Sequence, residues 1–274
     1  MRTKTSLTLS ARARARTHTP ARPLLGDASD KYRTTLDTYL RELRELKPEE
    51  EAPVETTTVV FARALGGSGR PPAVVRECVK HIEFHGTQVE GLFRVPGNAL
   101  TVQALRERYD AGETEVVGNE HDAHDVATLL KLYFRELPTA VVPDAVYAQV
   151  IEAARANKDD ETAKREAVCD AVLSLPQQHL VTLGLLLNLL QRIARNSAVN
   201  KMNSTNLATC FAPTILRAPA ETSPAQVLNE MQWAITAFRI LVDEAKRFTG
   251  QKSHENSMVE AQSILNASVA TRDY

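Results

Sequence analysis

Three cationic side chains stand among apolar residues at two places in the sequence. Arg94 lies within GLFRVPG, residues 91–97. Glycine at both ends permits a tight turn and proline stiffens it, so the turn would hold the guanidinium outward. Lys131 and Arg135 are four residues apart, so on a helix they share a face where like charges repel by about 0.2–0.5 kcal/mol. Unless Glu136 or another acid compensates, this pair favours an acidic partner; solvated surface cations are the alternative.

Common catalytic and metal-binding patterns are absent from the sequence. It contains no glycine-rich phosphate loop, no G-x-S-x-G and no H-E-x-x-H. His121, Asp122, His124 and Asp125 cluster near a predicted helix start, but their spacing fits no standard ligand set. Capping and the helix dipole account for the two acids. We therefore predict no metal site.

The composition is that of a soluble globular protein. Of 274 residues, 43% are hydrophobic and 24% are charged, and the 33 Lys and Arg nearly balance the 34 Asp and Glu. This balance gives no overall attraction to nucleic acid. The three cysteines have no metal-ligand spacing and indicate reduced core thiols in a cytoplasmic protein. The longest apolar run, Leu180 to Leu190, is shorter than the roughly 20 residues of a membrane span.

Segments of different composition flank one long helical region. Residues 1–29 form a basic tail, expected to be disordered; their composition also resembles a mitochondrial transit peptide. Contact of this tail with anionic lipid would contribute about 1 kcal/mol per basic residue. Residues 30–71 comprise an amphipathic helix, Asp30 to Lys47, and a linker rich in proline, acid and glycine. Residues 249–274 are polar and are expected to form a flexible C-terminal tail.

Residues 72–248 show helical periodicity throughout and no sustained alternation with period two. The pattern predicts a single all-α, multi-helix domain with an N-terminal extension. Asn98 and the pair His121-Asp122 are expected helix starts. Leu180 to Ile193 is apolar nearly all round and predicts a central buried helix. Short helices around Ser204 to Phe211 and over Gln226 to Phe248 complete the expected set.

Four motifs, in order, make the domain recognisable. They are EGLFRVPG (90–97), KLYFRELP (131–138), NKMNSTNLA (200–208) and FAPTIL (211–216). Together they closely resemble the RhoGAP family, the GTPase-activating domain for Rho-class small GTPases, over roughly Pro72 to Phe248. Pro96 and Ala212 differ from the family's usual residues, but neither substitution removes a group that the activity needs.

The resemblance implies roles for four residues. Arg94 would be the arginine finger that enters the partner's nucleotide site. Lys131 and Arg135 would line the GTPase-binding surface and help to position the finger loop. Asn206 would contact the backbone of the partner's switch region; a helix cap or a packing bond is the alternative for its amide. GTP and Mg²⁺ would be bound by the partner, so the chain is expected to need no cofactor.

The resulting prediction is a GTPase activator that completes the active site of a Rho- or Rac-class GTPase in its GTP-bound form and is not itself an enzyme. We expect a cytoplasmic protein, recruited to membranes through the basic tail. The alternatives are a catalytically weak GTPase-binding adaptor, which loss of the finger would favour, and a scaffold that acts through the Asp30 to Lys47 helix.

Overall fold

Nine α-helices and one 3₁₀ turn lie in the part of the chain that the computed structural model describes, residues 60–66, 70–156 and 160–248. In chain order the helices are α1 Ala73–His85, α2 Ala99–Asp110, α3 Ala123–Glu136, α4 Asp144–Ala156, α5 Glu161–Leu173, α6 Gln177–Arg195, α7 Ser197–Asn200, α8 Ser204–Ile215 and α9 Pro224–Asp243. The 3₁₀ turn is Ala245–Phe248. These elements confirm the predicted all-α fold.

Side-chain caps begin the helices that position the central motifs. The Asn98 side chain accepts hydrogen bonds from the backbone N–H groups of Leu100 and Thr101 at the start of α2. The Asp122 side chain does the same for His124 at the start of α3. Because such caps satisfy N–H groups that have no partner within the helix, they fix where each helix begins. Both predicted starts are confirmed.

Helix α6 runs through the centre of the domain. Twelve of its residues are buried, among them Thr182 and Gly184, as its nearly continuous apolar sequence predicts. It packs against α1, α8, α9 and the 3₁₀ turn. The surrounding helices therefore share one core, in which α3 contacts both α1 and α8.

Two segments differ from the sequence-based expectation. The four-residue helix α7 is too short to show a period, and no helix was expected there. The final helix is a 20-residue helix that ends at Asp243, and the chain continues as a 3₁₀ turn to Phe248.

Residues 60–66, expected to be linker, belong to the folded domain. Phe61 is fully buried, with its ring edge-on to Tyr133 at 5.5 Å and under the Arg106 guanidinium. The backbone N–H groups of Val60 and Phe61 both donate to the Asp110 carboxylate, at 2.8 and 2.9 Å. The folded region therefore begins N-terminal to the predicted boundary at residue 72.

The basic tail over residues 1–29, the amphipathic helix over 30–47 and the C-terminal tail over 249–274 lie outside the described residues. None of the described helices is both long enough and apolar enough to cross a membrane.

Replacing Phe61 with alanine should lower the free energy of unfolding by about 3–5 kcal/mol, because it empties a fully buried aromatic site. Urea denaturation measures the change. Phe84→Ala, at a phenylalanine that is 75% exposed, is the control and should change stability by no more than about 0.5 kcal/mol. Equal stability of the two variants would show that residues 60–66 do not contribute to the fold.

Candidate functional site

The segment between α1 and α2 that carries Arg94, here called the Arg94 loop (residues 90–98), makes a tight turn. Gly91 and Phe93 both have left-handed backbone conformations, with φ of +69° and +68°. The N–H groups of Arg94 and Val95 donate to the Gly91 carbonyl at 2.8 and 2.9 Å. A Cβ on Gly91 would lie 2.9 Å from a Val95 methyl carbon, so only glycine fits there without strain.

The loop buries one side chain and exposes the next. Phe93 is 1% exposed, and its ring packs edge-on against Phe211 of α8, with the ring centroids 4.7 Å apart. Arg94 is exposed. The turn therefore projects the guanidinium into solvent while Phe93 fixes the backbone immediately before it.

Lys131 on α3 contacts the loop directly. Its ammonium group donates to the Phe93 carbonyl oxygen at 2.5 Å. Burial is the main cause that lowers the pKa of Lys131; Cys210 raises it, and the like charge of Arg135 lowers it further. Lys131 thus links α3 to the residue that precedes Arg94.

Arg135 lies one turn beyond Lys131 and is exposed. The acid beside it in the sequence, Glu136, pairs with Arg106 on α2 at 2.9 Å. The end of α3 is held by Arg217, whose guanidinium donates to the carbonyl oxygens of Arg135, Leu137 and Pro138 at 3.0–3.2 Å. This cap sets the position of Arg135 on the surface.

Asn206 lies in the first turn of α8 and is partly exposed. Its side-chain amide donates to the Lys201 carbonyl at 2.9 Å, and Lys201 has a left-handed φ of +60°. Its own N–H donates to the capping residue Asn203. This exposed bond of the amide steadies the turn before α8.

The Arg94 loop, Lys131 on α3 and the neighbouring face of α8 lie next to one another. Cys210 follows Asn206 by one helical turn, so the two share a face of α8. Burial raises the pKa of the Cys210 thiol, and the positive charges of Lys131 and Arg94 oppose that shift. Arg94 and Lys131 therefore lie within electrostatic range of Cys210 on the Asn206 face of α8, and Arg135 lies on the next turn of α3. The described residues contain no group of three or more side chains placed to hold a metal ion.

The chain matches the model of the RhoGAP domain over residues 72–220, which is more than half of its length. It belongs to the RhoGAP family. The resemblance seen in the four sequence motifs is confirmed.

Known RhoGAP-containing proteins and structures agree with this assignment. The chain is 40% identical over 163 residues to the human breakpoint cluster region protein, covering 59% of this chain and 13% of that protein. It is 40% identical over 155 residues to mouse Rho GTPase-activating protein 24, covering 57% of this chain and 21% of that protein. The crystal structure of human Rho GTPase activating protein 15 superposes with a TM-score of 0.64 at 29% identity, over 70% of this chain and 92% of that chain.

The chain thus spans only about a fifth or less of the length of these two curated relatives. What they share with it is the RhoGAP domain.

Asn200, for which the sequence indicates no role, supports the first half of the Arg94 loop. The Asn200 carbonyl accepts from Gly91 N–H at 2.8 Å. Its fully buried side chain donates to the carbonyls of Thr87 and Ile193 at 2.7 and 2.8 Å and accepts from Met202 N–H at 2.8 Å. Asn200 is the first residue of the NKM motif, but the sequence does not show which backbone groups its side chain binds.

Asn200→Ala should destabilise the RhoGAP domain by about 1–3 kcal/mol, because three side-chain hydrogen bonds are lost and the buried Met202 N–H is left without this acceptor. Thermal and urea unfolding measure the loss. Asn119→Ala is the matched control, since Asn119 is exposed and its side chain bonds to the His85 ring at 3.3 Å. If both variants were equally stable, Asn200 would not be a structural support.

Proposed function

We propose that this RhoGAP domain accelerates GTP hydrolysis by a Rho- or Rac-class small GTPase, with Arg94 inserted in trans as the arginine finger. The observation that carries the proposal is the pairing of an exposed Arg94 with a buried, hydrogen-bonded Phe93 on a tight turn. This geometry presents a guanidinium from a backbone that is fixed in advance. Membership of the RhoGAP family supports the choice of partner.

GTP hydrolysis is accelerated by positive charge placed next to the γ-phosphoryl group as it leaves. As the γ-phosphoryl group leaves, negative charge is spread over its oxygens and the leaving oxygen. A planar guanidinium with five N–H donors can reach several of these oxygens at once, which lysine cannot do with the same geometry. For small GTPases such a finger contributes about 10³ to 10⁵ in rate. GTP, Mg²⁺ and the attacking water belong to the partner.

The neighbouring residues have complementary tasks in this proposal. Lys131 holds the Phe93 carbonyl and so fixes the backbone at Arg94. Arg135, exposed at the end of α3, faces an acidic surface of the partner. The Asn206 amide steadies the Lys201 turn through its N–H, and its carbonyl oxygen accepts from a backbone N–H of the partner's switch region.

A GTPase-binding adaptor without useful stimulation is the competing function. It would need the same surface but not the finger, so the presence of Arg94 on an ordered turn favours the activator. The scaffold function predicted for the helix over residues 30–47 concerns residues that the structure does not describe. A cytoplasmic location and lipid contact by the basic tail likewise stay predictions.

Arg94→Ala should reduce stimulated hydrolysis by about 10³-fold or more, because the finger acts in the transition state. Affinity for the GTP-bound partner should change much less. Single-turnover hydrolysis by Rho, Rac and Ras proteins measures the rate, and titration with a non-hydrolysable GTP analogue bound to the GTPase measures affinity. Arg155→Ala, at an exposed arginine paired with Glu152 on α4, is the control and should behave as wild type.

If the wild-type protein binds the GTPase but does not stimulate hydrolysis, the adaptor function is favoured over the activator function. Equal losses of rate and affinity in Arg94→Ala would contradict the assignment of the finger, because the residue would then act in the ground state as well.

Arg135→Ala should weaken binding to the GTP-bound partner about threefold and make binding less sensitive to salt, as expected for one exposed charge pair. Affinity measured between 50 and 300 mM NaCl tests both expectations, because the Debye length falls from about 14 to about 6 Å over this range. The Arg155→Ala protein should keep the wild-type salt dependence. An unchanged salt dependence in Arg135→Ala would show that Arg135 does not lie in the interface.

A further inference from the structure

The second half of the Arg94 loop is bound to the first turns of α3. The N–H of Gly97 donates to the Thr128 hydroxyl oxygen at 2.9 Å, and the N–H of Asn98 donates to the Asp125 carboxylate at 2.6 Å. A Cβ on Gly97 would lie 2.6 Å from the Asp125 Cα, so the two backbones are in contact and only glycine fits. This contact is separate from those of Lys131 and Asn200.

Three side chains on α3 hold the loop at regular intervals. Asp125, Thr128 and Lys131 are spaced three residues apart, so they follow one another along a face of the helix. They bind, in that order, the N–H of Asn98, the N–H of Gly97 and the carbonyl of Phe93. The loop therefore runs antiparallel to α3 and is held on both sides of Arg94.

Asn98 connects this attachment to the next helix. Its N–H binds Asp125, while its side-chain oxygen caps α2 through Leu100 and Thr101. Asp125 is only 8% exposed, and a hydrogen bond to a carboxylate is about twice as strong as a neutral one. The end of the loop is thus held both to α3 and to the start of α2.

We infer that Asp125 and Thr128 are positioning residues, which hold the Gly97–Asn98 end of the loop and thereby set the place from which Arg94 reaches the partner. The effect on rate rests on the proposed function, whereas the effect on the loop does not. Displacing a catalytic group by about 1 Å can cost about 10²-fold in rate, so small movements of this end matter. The two residues act through the loop and do not themselves touch the nucleotide.

Thr128→Val tests the inference, because valine keeps the shape of threonine and removes the oxygen that binds Gly97. We expect amide hydrogen exchange at residues 91–98 to rise about 10-fold, and stimulated kcat to fall about 10-fold with KM changed less than about twofold. Thr128→Ser, which restores the hydroxyl, should recover both values. Asp125→Asn, which keeps an oxygen acceptor but removes its charge, should give smaller changes in the same direction.

Thr236→Val is the matched control, because the Thr236 hydroxyl bonds to Gln232 within α9. It should leave both loop exchange and stimulation unchanged. Unaltered exchange in Thr128→Val would overturn the inference, as would faster exchange with an unaltered kcat. If wild-type protein stimulated no GTPase, the proposed function would fail, and the exchange rates would still decide whether these side chains hold the loop.

Discussion

The Arg94 loop depends on a buried Phe93 next to an exposed Arg94. Phe93 adopts a left-handed backbone conformation, which costs a non-glycine residue roughly 1–2 kcal/mol. Burial of its side chain contributes about 1.5–3 kcal/mol, and the edge-on contact with Phe211 adds about 0.5–1.5 kcal/mol. The packing therefore outweighs the backbone strain, and this balance keeps the turn that projects Arg94.

The same aromatic contact connects the loop to the rest of the core. Phe211 on α8 also stacks with Phe238 on α9, with ring planes 15° apart. The loop backbone is in turn bonded to α3 through Lys131 and to α7 through Asn200. Elements distant in sequence thus meet behind one short turn, and the helical bundle serves as the rigid support on which Arg94 is presented.

The elements with a strong local signal could be predicted from the sequence. Asn98 and Asp122 are capping residues followed by apolar periodicity, and both begin helices as expected. Phe61 could not be recognised, because it lies in an apolar run that is too short to show a period, and it packs against Tyr133, far along the chain. Helix α7 is a single turn and has no period to detect. For Lys131, the sequence indicates a cation on α3, but its bond to Phe93 arises only when the helix and the loop are brought together in the fold.

The hydrogen bonds around the Arg94 loop also determine when its conformational entropy is lost. Ordering each backbone residue costs about 1–2 kcal/mol, and here that cost is met during folding, by bonds to Asn200 and Lys131 within the domain. In the proposed function, docking onto a partner then has to order mainly the Arg94 side chain, at a cost of about 2 kcal/mol or less. A preorganised loop leaves more of the contact energy available for affinity, and association need not wait for the turn to form.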